Sequence, residues 1–434
     1  MKNTGIQRVF INYAIPSIVG MLIVSIQMLV DGVFLSKGAG PLGLAAVNLS
    51  MPLISVYLSV AIMIISGGIV ICGIEQGRGK DTLCRGYTTL TFCVMLLSIL
   101  ILSLLLLLNL VPVCRILGAD DEVLPYVKDY LSIIGGGFIF FCIPNFTEAF
   151  TRLAGKPNWV FYSGLICFVV NVLLDWVFIL RWGWGMKGAA FATCIANTSA
   201  AIVLAPNVRM GKIKGGWKEI RRIFFNGSSE MLTSVSSAVT TFVFNWVLIK
   251  NIGHVGVAAL TIVFYMNMIV NMSVFGLSQA LYPLMSYSLG ERDYLKIRKL
   301  LFVSLKLSGI IGFSVYFLLY FFKVEIVGLF SDGDRHLAIL AQTAISYVTL
   351  HYLISFINII GSSFHTAIER PVESVLIALC RSIIFVLVPL LVLPELIGDT
   401  GIWISTPIAE AATLFVTVPL TVCSMRGLRR QFAV

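Results

Sequence analysis

Charge is scarce in this chain. Of its 434 residues only 12% are Asp, Glu, Lys or Arg, while 58% are hydrophobic, and the mean hydropathy is +0.95. A soluble protein of this length could not cover its surface with so few charges. Histidine is rarer still, with four residues, and there is no CxxC pair, no HExxH and no glycine-rich phosphate loop. Those absences argue against a zinc site, an integral-membrane enzyme and any cofactor. The nine cysteines fall mostly inside apolar segments, where they read as small core residues rather than a disulfide framework. A cleavable leader is not expected, because Met1 to Asn12 is short and polar and the apolar stretch after it has no small-residue cleavage site.

What the chain does have is apolar runs, each long enough to cross a bilayer at about 20 residues per crossing. Twelve are expected, over 12–36, 44–74, 87–112, 124–150, 157–181, 187–208, 225–250, 256–287, 296–322, 337–368, 371–395 and 401–425. The reading is an all-α polytopic membrane protein. The net charge of +10 could point to nucleic acid, but the basic residues sit at segment ends, where anionic headgroups account for them. With a cytoplasmic N-terminus, 21 of the 31 Lys and Arg residues fall on the inner side and seven on the outer. That bias puts both termini in the cytoplasm of a multi-pass protein of the cell (inner) membrane. Trp176, Trp182, Trp184, Trp246 and Trp403 are then expected at the outer interface, and Trp159 and Trp217 at the inner one.

Sliding the chain against itself by about 213 residues exposes a repeat. "FLSKGAGPLGLAAV" (34–47) pairs with "VLIKNIGHVGVAAL" (247–260), "GRGKD" (77–81) with "GERD" (290–293), and "AGKP" (154–157) with "IERP" (368–371). "GMKGAAFAT" (185–193) likewise pairs with "GDTGIWIST" (398–406). Positions six spans apart keep the same orientation, so the repeat is parallel. It gives two six-helix lobes, 1–208 and 225–434, joined by a basic loop over 209–224, an arrangement that transporters use.

Polar residues at depth are few. Asp31 lies six residues before Lys37, Asp175 six before Arg181, and Thr193 six after Lys187. At about 1.5 Å of rise per residue all three sit roughly 9 Å below one interface, with Asn171 a turn deeper. Either Asp alone could be a solvated or Lys-paired interfacial residue. Together, with no Lys or Arg at that level, two carboxylates, an amide and a hydroxyl form an all-oxygen site for a proton or a hard cation such as Na⁺. The second lobe aligns Phe244, Phe385, Pro389 and Thr406 with these four, so the site is one-sided. Arg381 and Glu410 fall near mid-membrane on adjacent spans and are expected to pair, as structure or as part of lobe movement. Glu148 and Glu230 are expected to be solvated, and His351 and Asn358 to be isolated core groups. Pro16, near the start of span one, either bends that helix or is tolerated in its first turn.

In order and spacing, several segments resemble the multidrug and toxic compound extrusion (MATE) family over essentially the whole chain. They are "AIPSIVGMLIVSIQMLVDGVFLSKGAGPLGLAAVNLSMPL", "RLAGKPNW", "NVLLD", "GMKGAAFAT", "FGLSQALYPLMSYSLGERD", "CRSIIFVLVPLL" and "GIWISTPIAEAATL". The MepA-like and DinF-like bacterial branches are nearest. The resemblance implies two lobes forming a cleft and export of amphipathic, often cationic compounds against H⁺ or Na⁺. It implies a cation site at Asp31, Asn171, Asp175 and Thr193, a bending Pro16, and cavity-facing Asn145 and Asn197. The NorM-like branch carries acids in the middle of spans seven and ten. Here span ten has none, which puts a second cation site in doubt. A flippase for lipid-linked saccharides is the alternative, and it would favour basic residues lining the cavity. A monomer acting on small molecules, with membrane lipids as its surroundings and no nucleic acid, is expected.

Overall fold

The computed structural model describes residues 3–328 and 334–432, with backbone alone for Asn3, Thr4, Pro41, His254, Met268 and Ile269. Among the described residues every regular element is helical. The long helices are α1 Gly5–Gly40, α2 Leu42–Gly77, α3 Asp81–Leu108, α5 Pro157–Arg181, α6 Gly185–Asn207 and α7 Trp217–Asn251. They continue with α8 Val255–Gly290, α9 Tyr294–Phe321, α10 Arg335–Ala367, α11 Pro371–Ile397 and α12 Thr400–Gln431. The remaining span, α4, is a pair, Leu124–Gly136 and Ile139–Leu153, bent by 44°. Each is long and apolar enough to cross a membrane, and the twelve correspond to the twelve apolar runs.

The repeat is written in the backbone as well as in the sequence. Left-handed φ occurs at Gly40 and Gly253, at Gly79 and Arg292, at Gly155 and Glu369, and at Gly185 and Gly398. Each pair is separated by 213 or 214 residues. At two of these pairs the same double hydrogen bond closes the helix. Gly79 N donates to Gln76 O and Lys80 N to Glu75 O, as Arg292 N does to Leu289 O and Asp293 N to Ser288 O. Gly155 N and Lys156 N donate to Arg152 O and Thr151 O, as Glu369 N and Arg370 N do to Thr366 O and His365 O. This is the Schellman arrangement, which satisfies the last carbonyls and needs a left-handed residue. Arg292 and Glu369 hold it without glycine, so the position is imposed by the turn rather than by the residue. Pro157 and Pro371 then start the next helices at the position that has no donor to lose. The short helices Leu110–Ile116 and Lys323–Gly328 also match, as do the bend of α4 and a 3₁₀ turn, Thr349–His351, within α10.

Two compact units result, Ile11–Met231 and Leu232–Val434, the second joined by the start of α1 through Phe10. Within the link expected over 209–224, α7 has begun by Trp217. The link is irregular only to Gly216, because the Glu219 carboxylate accepts from Gly216 N at 2.7 Å and caps the first turn of α7. The same amide holds the Glu219 carboxyl below its ordinary pKa.

In the first unit α7 begins backbone-to-backbone on α2. A Cβ on Gly67 would lie 2.0 Å from Ile223 O, and one on Gly227 would lie 1.8 Å from Met63 O. Such approaches between apolar helices need small residues. Gly227→Val should therefore destabilise by about 1–3 kcal/mol or more, because backbone, not a flexible side chain, must move. Thermal unfolding in detergent checks this, with an unchanged Tm as the contrary result.

The tryptophans separate in an instructive way. Trp159, Trp176, Trp182, Trp184, Trp217 and Trp246 are exposed, whereas Trp403 is fully buried in the core of the second unit. Its side chain faces the protein interior rather than headgroups. The cause is the tight α11–α12 corner, where a Cβ on Gly401 would lie 2.5 Å from the Leu393 carbonyl. That packing turns the next residues of α12 inward.

Candidate functional site

The first unit holds the unusual chemistry. Asn171 and Asp175 are one turn apart on α5 and both are buried, at 0% and 1% exposure. Both Asn171 side-chain atoms and both Asp175 oxygens are buried without a hydrogen-bond partner, and so is Asp31 Oδ1 on α1. The Asp31 and Asp175 carboxyls lie close enough to feel each other's charge. Neither is in an ion pair among the described residues. Buried polar atoms are nearly always satisfied, so five orphaned atoms on three residues make this cluster the candidate site.

Local structure explains how α5 presents them. Immediately after Asp175 the helix widens into a π-helical stretch, Trp176–Arg181. Such widened turns recur at functional sites. The stretch is held by close packing, since a Cβ on Gly38 would meet Ile179 Cγ2 at 2.0 Å and one on Gly188 would lie 3.1 Å from Phe178. The ends of α1 and α6 are thus clamped on the turn that follows Asp175.

Not every expected member joins the pair. Thr193 is on α6, which packs along α5, but its hydroxyl donates to Ala189 O at 2.8 Å within its own helix. Its oxygen can still accept. Asn145 and Asn197 are half-buried and likewise bond back to their own helices, Nδ2 donating to Phe141 O at 2.8 Å and to Thr193 O at 2.9 Å. The backbone of α1 stays helical through Pro16. Tyr130 on α4 went unnoticed in the sequence. It is buried and lies close enough to feel the charge of both Asp31 and Asp175. The signal was available, for Tyr130 is six residues into its apolar run, the same depth as the two acids.

The second unit has a different polar centre. Arg381 Nε donates to Glu410 Oε1 at 2.6 Å. Asn358 is not isolated: its Nδ2 donates to Glu410 Oε2 at 2.7 Å and to Glu410 O at 2.9 Å, and its Oδ1 accepts from Thr417 at 2.7 Å. Arg381 lies in a second π-helical stretch, Cys380–Ile384, whose Ser382 carbonyl accepts from Thr240 on α7. That bond satisfies a carbonyl the widened turn would otherwise strand. A cavity of ≈ 230 Å³ opens beside the pair, lined by Asn267, Asn271, His351 and Thr406 among others. His351 Nδ1 is 2.6 Å from Val348 O and is satisfied there.

Two expectations of solvated acids also change. Glu148 pairs with the buried Arg152 at 3.0 Å, one turn along α4, and the half-buried Glu230 is engaged as well. Glu148 is drawn in because the buried Arg152 needs a counter-charge.

Among the described residues, twelve apolar helices in two repeated six-helix units, with unpaired carboxylates buried in one of them, are the architecture of a membrane transporter. The MatE family model matches the chain twice, over residues 16–177 and 230–391, and the chain belongs to that family. Its matches begin 214 residues apart, in step with the repeat. The chain is similar to an FAD transporter of Shewanella oneidensis, with 23% identity over 94% of this chain and 93% of that one. It is similar to the multidrug export protein MepA of Staphylococcus haemolyticus, with 24% identity over 96% and 93%. In fold it matches the MATE transporter VcmN of Vibrio cholerae, solved as a single-residue variant, with a TM-score of 0.92 at 18% identity over 98% of each chain.

Proposed function

We propose that the chain is a secondary active exporter in the cell membrane, with both termini cytoplasmic. By alternating access of the lobes 1–208 and 225–434, it moves amphipathic, often cationic compounds outward against H⁺ or Na⁺. The observation that carries this is the buried, unpaired Asp31–Asp175 pair with the orphaned Asn171 beside it. Two carboxylates in a low-dielectric site cannot both stay ionised without a counter-charge. One proton, or one Na⁺ held by the oxygens of Asp31, Asn171, Asp175 and Thr193, supplies it. Asn145 and Asn197 line the drug path, and flexing at Pro16 carries Asp31 between states. An incoming substrate cation competes for the same negative charge, which couples the two movements. The MepA relative supports drugs as cargo.

The flippase reading is weaker. An anionic diphosphate cargo favours basic residues lining the cavity, and of the three within the spans, Lys128, Lys306 and Arg381, the last is held by Glu410. Reconstituted protein decides between them. Ethidium efflux from proteoliposomes should accelerate at least tenfold under an imposed pH gradient or an imposed Na⁺ gradient, applied separately. If neither gradient has an effect, the coupled reading fails.

A further inference from the structure

At the end of the second unit that carries the Gly290–Asp293 turn, α9 and α12 both pack along α10 but scarcely touch each other. The gap between them is a cavity of ≈ 450 Å³, within the range of ligand sites. Its lining is graded. At the mouth are Arg298, Arg426 and Arg429, all exposed. Two to three turns deeper the walls are Leu305, Ile357 and Val418. Thr421 Oγ1 lies in this wall, buried and without a partner. Arg298 is held over the Phe302 ring at 5.7 Å. A second cavity of ≈ 390 Å³ shares Arg298 and Phe302 with the first and includes Lys299.

We propose that this groove is a binding site for one anionic phospholipid of the adjacent leaflet. The phosphate sits between Arg298 and Arg426, and the acyl chains run into the two cavities on either side of Phe302. Charge complementarity selects the occupant. A guanidinium fork binds a phosphodiester through paired hydrogen bonds, and basic pockets between membrane helices hold anionic headgroups. The apolar depth has no use for a soluble anion. The alignment of the charged mouth with the end of the bundle and the apolar floor with its middle follows the polarity of a lipid leaflet. An occupant would join α9 to α12, which scarcely touch, and would offer Thr421 Oγ1 an ester oxygen.

Native mass spectrometry of the full chain tests this, with phosphatidylglycerol and phosphatidylcholine offered after delipidation. Wild type should retain phosphatidylglycerol at least tenfold better. The double substitution Arg298→Gln with Arg426→Gln should reduce retention to the phosphatidylcholine level. Leu305→Trp, which fills the depth and leaves the arginines, should reduce it as well, and it decides the matter if the double variant fails to fold. Equal retention of the two lipids, phosphatidylglycerol binding that survives both variants, or displacement by excess inorganic phosphate would each overturn the proposal.

Discussion

Asp175→Asn and Asp31→Asn should each reduce gradient-driven efflux at least tenfold while leaving the folded protein at wild-type yield. The two halves of that expectation come from the same observation. Both Asp175 oxygens are buried and meet no donor, so the ionised form is a cost to the fold rather than a support. An amide removes the charge and keeps the shape, and Tm should hold or rise. Coupling behaves the other way. An amide neither takes up a proton near neutral pH nor supplies the negative charge a cation needs. A variant that is as stable as wild type and transports without response to the gradient separates function from fold cleanly. Unaltered efflux in both variants would remove the site assignment.

Glu410→Gln should show the opposite pattern, a loss of stability larger than the loss of coupling. Glu410 accepts from Arg381 Nε and Asn358 Nδ2, and Thr417 in turn holds Asn358. Removing one partner of a buried pair leaves the other charge uncompensated, which costs about 3–5 kcal/mol for a fully buried pair. Arg381 has 24% of its side chain open to the cavity, so about 3 kcal/mol, the lower end, is expected. Thermal unfolding of purified protein measures it. A normal Tm with abolished transport would reverse the assignment and put the pair in the coupling machinery.

The twelve spans were legible because bilayer length and apolar composition leave few alternatives. The parallel repeat was legible because four turns need a left-handed residue at matched positions, and glycine marks most of them. Asp31, Asn171 and Asp175 could be placed together because rise per residue converts sequence distance from a flanking Lys or Arg into depth. Helix rotation is a different matter. Depth counting could not say that Thr193 bonds within its own helix, that Trp403 faces the core, or that Asn358 reaches Glu410 from another helix. The widened turns at Trp176–Arg181 and Cys380–Ile384 carry no composition signal either, although one directly follows Asp175 and the other contains Arg381. Tyr130 was within reach of the depth count and needed only that aromatic hydroxyls be included in it.

Cation exchange at the Asp31–Asp175 pair is the central claim, and the most direct measurement is cation release on substrate binding. Purified protein in weakly buffered, sodium-free detergent solution is titrated with ethidium while pH is followed, and the titration is repeated with ²²Na⁺ bound. The account predicts release of a proton or of Na⁺ by wild type and by Glu410→Gln, and none by Asp31→Asn or Asp175→Asn. Release that persists undiminished in both aspartate variants would contradict it.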